Sequence, residues 1–155
     1  MTRIGDTISY IFIYLIALAY SFYKRDFNLF ITILTATIIA LISVELFKNI
    51  FMRLRPLEFM RMSQAGYSYP SGHSTVSAAT YWTFKTYLKK NGKSNKFADI
   101  FLTAMPFLIA TSRVVIGVHW PSDVLMGLLL GAAISKESFK LSSLINEKLN
   151  KRAVK

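Results

Sequence analysis

The chain has 155 residues, enough for one domain. Hydrophobic residues make up 53% and charged residues 17%, against about 25% charged in an ordinary soluble domain, which excludes a disordered chain. The absence of cysteine excludes a disulfide scaffold and thiolate metal sites. A formal charge of +11 calls for an anion somewhere, and nucleic acid, a lipid headgroup surface and a phosphate substrate all fit it.

No charge falls between Asp6 and Lys24, and residues 8–23 (ISYIFIYLIALAYSFY) are almost wholly apolar. A second uncharged run covers 27–44. Its eighteen residues would rise about 27 Å as a helix, close to the ~30 Å hydrocarbon core of a bilayer. Both runs are apolar all round, as in a buried or lipid-facing helix. Three further helices are expected over 74–87, 98–118 and 121–135, and their apolar pattern is weaker because Lys85, Arg113 and Asp123 fall within or beside them. The first run lacks a small-residue cleavage site and leads through Lys24-Arg25-Asp26 directly into the second, unlike a signal peptide. With no repeat or linker, residues 1–155 read as a single all-α domain, an integral membrane bundle of about five spans.

Charge orients the bundle. Lys24, Arg25, the lysines between 85 and 96 and the tail place thirteen basic residues on one side, against five on the other: Arg3, Lys48, Arg53, Arg55 and Arg61. Positive loops remain cytoplasmic, so the C-terminus is expected inside and the other face outside. In the basic tail, about 136–155, Leu141, Leu144, Ile145 and Leu149 recur at helical spacing. That pattern fits a helix on the anionic leaflet or a solvated continuation of the last span.

The remaining polar residues gather in three blocks, all expected on the outer face: KNIFMRLRP with Lys48 and Arg55, PSGH with Ser71, Gly72 and His73, and SRVVIGVHWPSD with Arg113, His119 and Asp123. Both histidines of the chain are here. Lys48, Arg55 and Arg113 suit an oxyanion of more than one charge. Ser71 and Gly72, just before a helix, could offer backbone N–H groups to it. Pro121 at a first helical position would set Asp123 in the first turn, where it can bond one nitrogen of His119 and leave the other as nucleophile or base. His73 would protonate the leaving oxygen. Arg113 and His119 lie about 120° apart on an ideal helix, so Gly117 is the expected place for the helix to loosen. Two histidines and an aspartate could hold zinc, but three cations crowding the site argue against a metal. The aromatics Tyr81 and Trp82 are expected to pack rather than react.

Together the blocks resemble the three-part signature of the type-2 phosphatidic acid phosphatase superfamily: K-x6-R-P, P-S-G-H and S-R-x5-H-x3-D, intact, in order, and spanning Lys48 to Asp123. The resemblance implies a membrane lipid phosphatase needing no cofactor or metal. It implies that His119 is the nucleophile that becomes a phosphohistidine, with Asp123 orienting it and His73 as general acid. Lys48, Arg55, Ser71, Gly72 and Arg113 would hold the phosphate. Members usually have six spans, so five suggests a minimal version lacking a peripheral N-terminal helix. With an outward site in a plasma membrane, the resemblance points to a polyprenyl diphosphate such as undecaprenyl diphosphate. Phosphatidylglycerophosphate, phosphatidic acid, diacylglycerol pyrophosphate and a phosphotransferase reaction stand as alternatives. A non-catalytic bundle binding or transporting anionic lipids would not need both histidines. Nucleic acid is not an expected partner, since no binding module is recognisable. The oligomeric state is open.

Overall fold

The computed structural model describes residues 14–15, 17–23 and 27–153, with side chains up to Ser142. Among these residues the chain is all-helical. Four helices follow one another: α1 (Asn28–Phe51), α2 (Gly72–Lys90), α3 (Lys96–Val115) and α4 (Pro121–Ala153), with a 3-10 turn at Leu57–Phe59 between α1 and α2. Residues 17–23 are also helical, and the rest of the first expected span lies outside the described residues. Two helices, α1 and α3, are long and apolar enough to cross a membrane.

Every helix ends differently from the boundary its apolar run suggests. Helix α1 runs past Val44 to Phe51 and carries Lys48 in its last turn, closing on Met52 in the left-handed region. Helix α2 starts at Gly72 rather than Ser74, because Ser71 caps it: the Ser71 hydroxyl accepts from the Ser74 N–H. Helix α3 stops at Val115, three residues short of the expected end, and Gly117 beyond it has φ +78°. A Cβ on Gly117 would lie 1.9 Å from the Phe59 carbonyl oxygen, so only glycine lets the chain reverse there. Helix α4 does not end near Ser135 but continues as one backbone helix to Ala153, so the basic tail extends the last helix.

Helix α2 is the hub, packed against α1, α3 and α4. Its buried residues are mostly small or hydroxylated: Ser74, Thr75, Ser77, Ala78, Ala79, Thr80 and Thr83. Most of their hydroxyls are satisfied locally, as Thr75 donates to the Ser71 carbonyl, Ser77 to that of Ser74 and Thr80 to that of Val76. The small surface admits α4 at close range through Gly127 and Gly131. A Cβ on Gly131 would stand 2.5 Å from the Ala78 Cβ and 2.6 Å from the Thr75 carbonyl oxygen. This is the small-xxx-small contact of membrane helices, driven by packing rather than by water exclusion.

Two glycines thus carry distinct demands. Gly131→Ala should destabilise the protein by about 1–3 kcal/mol through overpacking, read as a fall in thermal unfolding temperature in detergent. Gly117→Ala should lower it as well, because the new Cβ meets backbone and not a movable side chain.

Candidate active site

Three chain segments meet at one end of the bundle: the end of α1, the start of α2 and the turn from α3 into α4. The Ser71 N–H donates to the Asp123 carbonyl at 3.0 Å, fastening the second block to the third. Beside this joint a cavity of about 420 Å³ is lined by Lys48, Gly72, His73 and His119. Leu41, Val44 and Val76 form its apolar wall, and Glu45, Gln64, Thr37 and Tyr14 complete it. Residues from all three blocks therefore face one space, although 71 positions separate Lys48 from His119.

His119 is 3% exposed. Its Nδ1 lies 3.5 Å from Asp123 Oδ2, at ion-pair distance, and makes no hydrogen bond. The Asp123 carboxylate is fixed by two other groups. Its Oδ2 accepts the Trp120 N–H at 2.9 Å, and its Oδ1 accepts Arg53 Nη1 at 2.9 Å. The other imidazole nitrogen, Nε2, lies 3.4 Å from Arg55 Nη1. Burial pushes the His119 pKa below its ordinary value, Asp123 pulls it up and the Arg55 charge adds to the depression. The ring is therefore neutral at pH 7, with Nδ1 toward a carboxylate and Nε2 left for an electrophile.

Arg55 is 6% exposed and does more structural work than the sequence suggests. Its Nε donates to the Gly66 carbonyl, Nη2 to those of Ala65 and Tyr67, and Nη1 to that of Val118. Four of the five N–H groups of a guanidinium are thus committed to carbonyls. One Nη1 hydrogen remains on the side of His119. Arg55 clamps the 65–67 loop onto the residue before His119 and presents one donor beside Nε2.

The other expected ligands sit as follows. Lys48 and Gly72 line the cavity. Ser71 is fully buried, its N–H and hydroxyl both engaged at the helix start, so it supports the wall rather than offering its N–H to an anion. Arg113 does not line the cavity, and its Nε donates to Ser112 Oγ at 3.2 Å. Arg53 is the residue that motif spacing missed. It counted only as a surface charge, yet it bonds Ser122 and Asp123 and lies 5.4 Å from the Trp120 ring centroid. Tyr14, Glu45 and Gln64 were missed too. Glu45, one turn before Lys48 on α1, was the member legible from helical spacing. Among the described residues no three His, Asp or Glu side chains gather closely enough to hold a metal ion.

Known proteins resemble this chain in sequence and fold. An undecaprenyl-diphosphatase from Sulfolobus acidocaldarius is 34% identical over 127 residues, 78% of this chain and 59% of that protein. Phosphatidylglycerophosphatase B from Bacillus subtilis is 33% identical over 91 residues, 56% of this chain and 45% of that protein. The chain thus spans about half the length of these relatives. The crystal structure of a transmembrane PAP2-type phosphatidylglycerolphosphate phosphatase from Bacillus subtilis superposes with a TM-score of 0.74 at 26% identity, covering 92% of this chain and 70% of that one. Aquifex aeolicus LpxE shares the fold, with a TM-score of 0.65 at 24% identity over 90% of this chain and 88% of its own. Residues 27–146 match the PAP2 superfamily, and with the three blocks assembled around one cavity the chain belongs to that superfamily.

Proposed function

We propose that the protein is a membrane lipid phosphatase that hydrolyses a phosphate or pyrophosphate ester through a phosphohistidine on His119. The observation that carries this reading is the shared cavity, in which His119, His73 and Lys48 converge under an apolar wall. In the first step the Nε2 lone pair of His119 attacks phosphorus while the bond to the leaving oxygen breaks, and His73 gives that oxygen its proton. Asp123 stabilises the positive charge that develops on the imidazole. In the second step water attacks the phosphohistidine, His73 takes a proton from the water, and the phosphorus–nitrogen bond breaks to release phosphate. Lys48 and the remaining Arg55 donor offset the equatorial oxygens, the task that metal ions perform in other phosphoryl transfers. The reading needs no metal or other cofactor.

The substrate we favour is a polyprenyl diphosphate, because the longer relative match is to an undecaprenyl-diphosphatase. Phosphatidylglycerophosphate is the second reading, supported by the fold likeness to a phosphatase of that lipid. The bundle spans the plasma membrane about five times, with its active end outside. Lys89, Lys90 and Lys93 support this orientation. They lie at or just past the far end of α2, which rises about 27 Å from Gly72 to Lys90.

Purified protein in excess chelator should release phosphate from one member of a panel of polyprenyl diphosphates, phosphatidylglycerophosphate and phosphatidate. His119→Ala should lower the rate by about a thousandfold or more and abolish acid-labile phosphoenzyme. Normal turnover in that variant would refute the mechanism.

The depressed His119 pKa sets the acid side of the pH profile. Lowering a pKa preserves the neutral form to more acid pH, so the acid limb of kcat/KM should fall below pH 6.5, the ordinary histidine value. An acid limb above 6.5 would contradict a buried neutral nucleophile.

Gly72→Ala separates ligand space from packing space. The added Cβ meets only Val44 Cγ1, at an ordinary 3.5 Å. Unfolding temperature should hold while kcat/KM drops by about tenfold or more, because the methyl group enters the place of a phosphate oxygen.

A further inference from the structure

Segment 52–61, MRLRPLEFMR, combines two properties that loops in water do not share. Its apolar side chains point outward: Leu54 and Leu57 are each 73% exposed, Phe59 64% and Met52 56%. By contrast, its four consecutive carbonyls from Arg53 to Pro56 are all paired within the protein. The Arg53 carbonyl accepts the Ser68 N–H and hydroxyl, and the Leu54 carbonyl accepts the Ser68 hydroxyl and Trp120 Nε1. The Arg55 carbonyl accepts the Leu57 N–H, the Pro56 carbonyl accepts that of Phe59, and the Arg61 N–H donates to the Ile116 carbonyl. Pro56 has no N–H to satisfy. A solvated loop shows the reverse, with polar side chains outside and backbone groups left to water. Hydrocarbon demands internally paired peptides, since an unpaired one costs several kcal/mol there.

The surroundings of the segment name its occupant. On one side it continues the exposed apolar surface of α1 at Ile50 and Phe51, and on the other it shares an open cleft with Val114 and the exposed Val115 of α3. These are the two helices whose length and composition suit a bilayer. Trp120 lines a shallow cleft with Leu54, Leu57 and Phe59, and a half-buried tryptophan with a bonded N–H favours the headgroup level. Exposed Arg61 edges the patch, and three arginines against the single exposed Glu58 give the segment a formal charge of +2, matching anionic headgroups.

We propose that segment 52–61 is an interfacial wedge, inserted at the headgroup–acyl boundary of the leaflet on the active-site side. Its occupant is lipid, not a second protein copy. The wedge also carries Arg55, which is bonded to the Val118 carbonyl beside His119. Insertion therefore sets the depth of the reacting imidazole at the level of a lipid phosphate, and a substrate reaches it without leaving the leaflet. The depth stands independently of the enzymatic reading; the effect on turnover rests on that reading.

The test uses the full chain in phosphatidylcholine–phosphatidylglycerol vesicles, with Trp82→Phe leaving Trp120 as the single tryptophan. Acyl chains brominated near the headgroup should quench Trp120 strongly, and chains brominated near their ends should quench it weakly. Combining Leu54→Ser, Leu57→Ser and Phe59→Ser should reduce the quenching. It should also lower kcat/KM for long-chain lipid phosphate in vesicles by about tenfold or more while leaving a water-soluble short-chain ester unaffected. Should the triple variant unfold early, Leu57→Ser alone serves the same comparison. A Trp120 that no brominated lipid quenches, as when a second copy covers the patch, overturns the proposal, and so does equal loss on both substrates. If no lipid phosphate is hydrolysed at all, the quenching result alone decides the wedge, and only the phosphatase reading fails.

Discussion

The hydrogen bond from the Ser71 N–H to the Asp123 carbonyl is the joint on which the site depends. It can form because α4 lies almost in contact with the backbone of α2. Gly127 and Gly131 present no side chain, and a Cβ on Gly127 would stand 2.8 Å from the Ser71 carbonyl oxygen. The contact brings the start of α4 against the start of α2, so Asp123 and Ser71 share one corner. With that corner fixed, a short turn through Gly117 is enough to carry His119 to the cavity that His73 already lines. Packing of small residues deep in the bundle thus determines where the reactive side chains meet at its end.

Electrostatics at the site follow a division among the cations that charge counting alone does not reveal. Arg55 is largely committed to carbonyls of the 65–67 loop and Val118, and Arg53 holds the carboxylate of Asp123. Both act first as fasteners. Lys48, at the end of α1 and half-buried, is the one Lys or Arg among the described residues that lines the cavity. The arrangement keeps Asp123 from pairing only with His119. Its charge is shared with Arg53, which moderates the upward pull on the imidazole and leaves burial to dominate.

Motif spacing in the sequence was enough to place Lys48, His73 and His119 around one space, and Gly117 at the break after α3. Those residues lie in short segments whose local geometry follows from helix periodicity, a capping serine and a glycine. Arg53 escaped because it sits two residues before Arg55 in an irregular segment, where no periodicity says which way a side chain points. Its partner Asp123 is 70 positions away. Gly127 and Gly131 are visible as letters four apart, but the significance of the pair depends on Thr75 and Ala78 opposite them. Tyr14 reaches the cavity from the first apolar run, bonded to Thr37, a contact between segments that only assembly creates. Helix ends were displaced for a related reason. Glu45, Lys48 and Asn49 interrupt the apolar run of α1, yet they line or adjoin the cavity and leave the helix intact.

The same logic explains why hydropathy alone singles out α1 and α3. A helix surrounded by other helices has no lipid to satisfy and can trade apolar bulk for close packing. Helix α2 does so: Thr75, Ser77 and Thr80 donate their hydroxyls to carbonyls one turn back, Ser74 to the Ser71 hydroxyl and Thr83 to Ser135 of α4. Those hydroxyls lower its apolar score without leaving a polar group orphaned in the core. Low hydropathy in this helix therefore records its central position and does not argue against its lying at membrane depth. The apolar belt needed to meet lipid is carried by the outer helices, where Ile38 and Ile42 of α1, Phe107 and Leu108 of α3 and Leu125 and Leu129 of α4 are all exposed. A polar seam inside and an apolar surface outside reverse the pattern of a soluble bundle, and that inversion is the physical argument for a bilayer around the fold.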